Sequence, residues 1–124
     1  MNAITNTKII LEDGIIWDGT VLYENGRIAA FGEAVDIMIP PGASVYDAGG
    51  KYTAPGFVDA HNHGADGHWF YDEPEEAAAH FLKHGETTVL ATVYFNLDYD
   101  QTIKAMNTIR EASKKGCARI IGGL

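Results

Sequence analysis

Two histidines separated by a single residue, His61 and His63, follow an apolar segment that begins at Pro55. Side chains alternate between the two faces of a β-strand, so both imidazole rings are expected on one face at the carboxyl end of a strand. Such a pair also occurs where a strand merely meets solvent. Two neutral imidazoles held side by side can, however, share one divalent cation, and histidine nitrogen is a common zinc ligand. The spacing therefore predicts a metal site formed by His61 and His63.

Four neighbouring residues are candidates to support this site. Alternation places Asp59 on the face of the histidines, where its carboxylate would either orient His61 through a hydrogen bond or meet the backbone of a neighbouring strand. Gly64 and Gly67 would give the backbone room beside the metal. His68 would either contact the substrate or pack on the aromatic residues that follow it. Asp59 is expected to support the site rather than to bind the metal itself.

The elements that must position these residues fall into two parts that meet near residue 53. Residues 1–53 contain short apolar segments separated by Asp-Gly and Asn-Gly pairs, which are typical of the turns of β-hairpins. This part is expected to form a small antiparallel β unit. The pairs lie at Asp13-Gly14, Asp18-Gly19 and Asn25-Gly26.

From residue 54 onward the pattern predicts strands that alternate with helices, the first helix having Asp72 as its N-cap. Short strand–helix–strand connections favour parallel strands, and the second strand is apolar enough to be buried on both faces. Functional residues of such sheets lie at the carboxyl ends of the strands, where His61 and His63 fall. Thr92 and Asn96, near the end of the second strand, are further candidates. The expected elements are strands at 55–61, 87–95 and 119–124 and helices at 72–85 and 98–115.

The composition limits the classes of protein that the chain can represent. Of its 124 residues 46% are hydrophobic and 21% are charged, and nine basic residues against seventeen acidic ones give a net charge of −8. The basic residues form no cluster that would neutralise phosphates, so no nucleic-acid partner is expected. The absence of a signal-peptide pattern and of a long apolar segment favours a cytoplasmic protein with no membrane partner. The one cysteine, Cys117, fits a reducing compartment and is expected to pack at the entry of the third strand.

The whole chain resembles the metal-dependent amidohydrolase superfamily. The matching residues are the turn glycines of the first part, the segment 55–63 that ends in His-x-His, and the segment 84–92. Enzymes of this superfamily begin with a small β-sandwich and continue into a (β/α)8 barrel whose first strand ends in His-x-His. The resemblance implies an α/β fold, with a β-sandwich segment at 1–53 and, at 54–124, the first three strands and two helices of an incomplete TIM barrel. The loop at 63–68 and the ending at 121–124 are most similar to N-acetylglucosamine-6-phosphate deacetylases.

The resemblance also implies an activity, the metal-dependent hydrolysis of C–N bonds in a small molecule such as an N-acetylated amino-sugar phosphate. One or two divalent ions, expected to be zinc, would activate a water molecule and polarise the amide carbonyl. In the superfamily the other metal ligands and the catalytic aspartate come from later strands, so no catalytic residue is expected before Leu124. The chain is therefore expected to be the N-terminal third of a longer, homo-oligomeric enzyme and to be inactive alone.

Two other interpretations stay open at this point. The chain would also fit another amidohydrolase, such as a cyclic-amide hydrolase, an isoaspartyl dipeptidase or a deaminase, and the residues that follow Leu124 would separate these branches. It would also fit a non-catalytic scaffold or subunit-contact module in which the histidines are incidental. Zinc binding that survives the loss of His61 and His63 would favour the scaffold.

Overall fold

The computed structural model describes residues 1–115 and 118–122, and the chain divides into two compact units between Pro55 and Gly56. Cys117 and the last two residues of the predicted third strand lie outside the described residues. No helix in the described part of the chain is both long and apolar enough to cross a membrane. The first unit contains β1 (Asn2–Ile10), β2 (Ile15–Glu24), β3 (Arg27–Glu33), β4 (Ser44–Asp47) and β5 (Tyr52–Thr53). The second contains β6 (Phe57–Asn62), β7 (Gly64–Ala65), β8 (His68–Trp69), α1 (Pro74–Lys83), β9 (Glu86–Ala91), α2 (Tyr99–Ala112) and β10 (Arg119–Gly122).

The first unit is a single mixed sheet of five strands. Strand β2 pairs antiparallel with β1 and β3, whereas β4 and β5 both pair parallel with β1. The antiparallel unit predicted for this part is thus correct only for β1 to β3. Parallel neighbours need a crossover connection, and residues 34–43 provide one by carrying the chain from β3 to β4 across the sheet. The β-sandwich stays a prediction for this unit.

Turn chemistry explains one hairpin of this sheet and misleads at another position. Asn25 and Gly26 join β2 to β3 with φ values of 51° and 72°, the two positive angles that a type I′ turn requires. Asp18-Gly19, expected as a turn, instead lies inside β2. A Cβ on Gly19 would come within 2.5 Å of the Cδ1 atom of Ile9, so glycine is needed here for close packing between β1 and β2 rather than for a turn.

The second unit is a three-stranded parallel sheet in the order β10-β9-β6, with α1 and α2 between successive strands. The alternation of strands and helices predicted from residue 54 onward is confirmed. The core joins both helices to the sheet and includes Phe70, Phe81, Val89, Ile109 and Ile120. The barrel of which these elements would be a part stays a prediction.

Strand β9 is buried on one face rather than on both. Val89 and Ala91 are inaccessible to solvent, whereas Thr88 and Leu90, which alternate with them, are only half-buried. The prediction of burial on both faces is wrong for the described residues, because both helices contribute to the core that contains Val89 and Ala91. The strand is also shorter than expected and ends at Ala91.

The two helices begin in different ways. Helix α1 starts at Pro74, and its N-cap is Glu73, not Asp72 as predicted, because a proline in the first helical position requires the preceding residue to be the cap. Helix α2 has a complete capping box. The side chain of Asp98 accepts a hydrogen bond from the backbone N–H of Gln101 at 2.8 Å, and the Gln101 side chain accepts one from the backbone N–H of Asp98 at 2.9 Å.

A short hairpin of β7 and β8 follows directly on β6. Gly64 has a φ of 150° and lies opposite Trp69, and a Cβ at position 64 would collide with the carbonyl oxygen of His68. Gly67 has a φ of 84° in the turn. The hairpin is tied to the start of α1 by an ion pair of 2.7 Å between Nδ1 of His68 and Oε2 of Glu73. The hydrogen bond to Glu73 raises the pKa of His68 above its ordinary value.

We expect Glu73→Gln to lower the pKa of His68 toward its ordinary value, because the neutral amide no longer favours the imidazolium form. Ring-proton NMR shifts recorded against pH would measure this in both proteins. Since the pKa of His68 is raised in the fold, the pair stabilises the hairpin at low pH and this contribution is lost as pH rises through the raised pKa. Glu75→Gln is the control, because Glu75 pairs with Lys115. An identical titration of His68 in all three proteins would contradict the pairing.

We expect Asp98→Ala to lower the free energy of unfolding by about 1 kcal/mol, because it leaves the first N–H groups of α2 without their side-chain acceptor. Urea unfolding followed by helical circular dichroism measures this, since both described helices belong to the second unit. Asp98→Asn retains an acceptor oxygen and should leave the midpoint almost unchanged. Equal losses in the two variants would show that charge rather than capping is responsible.

Candidate metal centre

The carboxyl end of β6 is shaped by a bulge in its pairing with β9. Asp59 lies opposite Val89 and Asn62 lies opposite Ala91, so three steps along β6 match two steps along β9. The extra residue breaks the strict alternation of faces on which the sequence-based prediction relied. His61 lies within the irregular segment between Asp59 and Asn62 and His63 follows it, yet the two side chains lie together.

Asp59 fixes the bulge and does not reach the imidazole of His61. Its Oδ1 atom accepts a hydrogen bond of 3.0 Å from the backbone N–H of His61, and its Oδ2 atom accepts one of 2.9 Å from the side-chain amide of Asn62. The Asn62 side chain in turn accepts a hydrogen bond from the backbone N–H of Gly64 at 2.9 Å. Asp59 therefore shapes the backbone that carries the histidines, whereas the prediction had placed it on their face as a partner of the ring or of a neighbouring strand.

The two predicted ligands lie side by side. The ring centroids of His61 and His63 are 5.0 Å apart and their planes are perpendicular. His61 is exposed to solvent and His63 is half-buried. The structure thus brings together the two imidazoles that the sequence singled out, at the end of the strand where that prediction placed them.

The orientation of His63 is set by the neighbouring strand. Its Nδ1 atom lies 3.1 Å from the carbonyl oxygen of Thr92. A carbonyl only accepts hydrogen bonds, so Nδ1 carries a proton, and in the neutral imidazole Nε2 keeps its lone pair for a cation. Thr92 is itself 5% exposed, and its N–H donates to the carbonyl of Asn62 at 2.8 Å, which locks the two strand ends together.

A row of aromatic rings adjoins His63, and the sequence-based prediction did not include it. The ring of Tyr94 meets the ring of His63 edge-on at 5.1 Å, and Trp69 lies 5.3 Å from Tyr94 and 5.6 Å from Tyr71. The second strand predicted from the sequence, at 87–95, includes Tyr94. Because β9 ends at Ala91, Tyr94 instead belongs to the loop at the carboxyl end of the sheet. The aromatic residues directly after the strand are the sequence feature from which this row could have been predicted.

The structure gives the remaining candidates other positions. Gly64 and Gly67 shape the hairpin, and His68 is engaged by Glu73 rather than by an aromatic ring. Asn96 is exposed in the loop after β9. A groove of about 890 Å³ lies between α1 and α2 and contains neither metal-ligand candidate.

The donor set fits a divalent ion chemically but is incomplete among the described residues. Within 1–115 and 118–122, no group of three or more His, Cys, Asp or Glu side chains converges closely enough to hold a metal ion. Zinc in a catalytic site usually has three protein ligands and a water molecule. His61 and His63 therefore account for part of a coordination shell.

The sequence is similar to curated enzymes, although no family model matches it. It is 36% identical over 89 residues to an adenine deaminase of Listeria monocytogenes, a match that covers 71% of this chain and 14% of the relative. It is 26% identical over 123 residues to a dihydroorotase of Aquifex aeolicus, covering 92% of this chain and 28% of the relative.

The fold is similar to that of a solved enzyme structure. The N-acetylglucosamine-6-phosphate deacetylase of Pasteurella multocida superposes with a TM-score of 0.74 at 18% identity, over 93% of this chain and 31% of the deacetylase. The chain thus spans less than a third of the length of each of these three proteins. The sequence likenesses support the amidohydrolase superfamily that the motifs predict, and the likeness to the deacetylase structure shows a shared fold.

Proposed function

We propose that this chain contributes His61 and His63 as metal ligands to a metal-dependent hydrolase that cleaves amide-type C–N bonds. The observation that carries the proposal is the hydrogen bond from Nδ1 of His63 to the Thr92 carbonyl. In the neutral ring it leaves Nε2 of His63 unprotonated beside the ring of His61, as a metal-ligating histidine requires.

The described residues have distinct parts in this function. A bound divalent ion would make a water molecule more acidic and polarise the substrate carbonyl. His63 is oriented by Thr92, and Asp59 holds the backbone N–H of His61 in the bulge that precedes His63. Two imidazoles are fewer than the three protein ligands usual for catalytic zinc, so the described residues alone are expected to bind metal without completing a catalytic site.

For the substrate we propose an N-acetylated amino-sugar phosphate, hydrolysed at its acetamido group with one or two zinc ions. The segment 55–63, the loop at 63–68 and the fold likeness to a deacetylase support this assignment. A homo-oligomeric enzyme in the cytoplasm is part of the same proposal. The 36% identity to an adenine deaminase favours a deaminase as the second candidate.

We expect the chain to bind zinc and the double variant His61→Ala/His63→Ala to bind it at least about tenfold more weakly, because the variant lacks both imidazole donors. Isothermal titration calorimetry would measure the two affinities. Affinity should also fall as pH is lowered, since protons compete with the metal for the imidazole nitrogens.

The matched control for this titration is His80→Ala/His84→Ala, which removes the other close pair of imidazoles, whose ring centroids are 4.5 Å apart on and just after α1. Zinc affinity should be unchanged in this control. Equal affinity in the wild type and in the His61/His63 variant would contradict the proposed centre and favour a scaffold.

We expect the chain by itself, saturated with zinc, to release no measurable acetate from N-acetylglucosamine 6-phosphate, because two protein ligands do not complete the coordination that activates water. A coupled acetate assay would measure this. Turnover that disappears in His63→Ala would show that the described residues suffice for catalysis, contrary to this expectation.

A further inference from the structure

The aromatic row beside the histidines is continuous and partly open to solvent. From His63 it passes to Tyr94 and from there to Trp69 and Tyr71 on one side and Phe95 on the other, with neighbouring centroids between 4.4 and 5.6 Å apart. Trp69 is 40% exposed and Phe95 is 86% exposed. Large aromatic side chains left open at the functional end of a sheet are a usual component of ligand sites.

Backbone pairing within the β7–β8 hairpin holds Trp69 in this position. Strand β8 pairs Trp69 directly with Gly64, one residue after His63, and a Cβ on Gly64 would come within 2.8 Å of the Cα atom of Trp69. The next residue, Phe70, is completely buried, and its N–H donates to the carbonyl of His63 at 3.0 Å. Glycine at position 64 and the buried Phe70 thus fix the indole next to the candidate metal ligands.

The lysines and arginines of the second unit lie away from this row. They lie in the two helices, just after α2 and at the start of β10, and are Lys83, Lys104, Arg110, Lys114, Lys115 and Arg119. The loops at 63–73 and 92–98, which contain the aromatic row, have no lysine or arginine, and His68 is already paired with Glu73. The surface beside the histidines therefore offers ring faces to a ligand, and no lysine or arginine from these two loops.

We propose that Trp69 and Tyr94 form an aromatic platform, with ring planes inclined at 42°, against which the ring of a cyclic substrate packs beside the metal held by His61 and His63. The inference rests on the proposed function and specifies the substrate class of the same site. The shared chemistry is a ring with a flat face of C–H or π character, which either a pyranose or a planar heterocycle supplies. Ring stacking of this kind contributes enough to discriminate cyclic from open-chain amides.

The test uses the fluorescence of Trp69. The sequence has two tryptophans, so Trp17→Phe leaves Trp69 as the single reporter. N-acetylglucosamine 6-phosphate, adenine and the open-chain amide N-acetylserine are titrated into the zinc-loaded Trp17→Phe protein. As its concentration rises, at least one cyclic probe should change the emission of Trp69 until the change saturates. N-acetylserine should cause no such change. Saturation by the sugar phosphate identifies a pyranose platform, and saturation by adenine identifies a heterocycle platform.

Substitutions at Tyr94 separate stacking from a general loss of structure. In the Trp17→Phe background, Tyr94→Ala should lower the affinity for the cyclic probe about tenfold. Tyr94→Phe keeps the aromatic ring and should retain that affinity. Phe57→Ala is the control, because Phe57 is an exposed aromatic at the amino end of β6. Equal loss in Tyr94→Ala and Tyr94→Phe, or equal responses to cyclic and open-chain probes, would overturn the platform.

Zinc affinity, measured on the same samples, distinguishes the two proposals. Zinc binding that depends on His61 and His63, without any saturable response to a cyclic probe, refutes the platform alone. A saturable response to a cyclic probe that is accompanied by zinc binding independent of these histidines refutes the metal centre and supports the platform as a ring-binding surface.

Discussion

The candidate centre depends on the parallel pairing of β6 with β9. This pairing brings the carboxyl ends of two strands together, and there the carbonyl of Thr92 accepts the proton of Nδ1 from His63. In the neutral ring this hydrogen bond determines the tautomer and the nitrogen that stays free for a cation. The loop that leaves β9 then places Tyr94 against the same imidazole. Under the proposed function, metal affinity and ring contact would consequently depend on one junction between two strands.

Much of the fold follows from local chemistry in the sequence. Asn25-Gly26 has the backbone angles of a tight hairpin, and the strand–helix rhythm after residue 54 reflects apolar periodicity that any core would require. Features set by distant residues were not predictable in this way. Gly19 resembles a turn residue because glycine serves turns, yet here its lack of a side chain makes room for Ile9, a contact that only the pairing of β1 with β2 creates.

The centre shows the same division between local and non-local information. The pairing of His61 with His63 is a local property of an extended chain, and spacing alone was enough to predict it. Asp59 was expected to orient the ring of His61 or to meet a neighbouring strand, whereas its hydrogen bonds stay within the bulge, and the bulge depends on the register against β9, which no pattern within β6 encodes. Thr92 was singled out from its position near a strand end, but its contribution comes from a backbone carbonyl, and every residue type has one.

The bulge between Asp59 and Asn62 has a consequence for how this segment tolerates length changes. Side chains in a strand change face with every residue, so a one-residue deletion that restored regular pairing would rotate the whole downstream segment to the opposite surface. Homologous chains that lack the bulge would then need one inserted residue elsewhere before His63 to compensate for the deletion. Alignment gaps are accordingly expected in pairs within these few positions, and under the proposed function a lone gap there would mark a lineage that does not use this strand to bind metal.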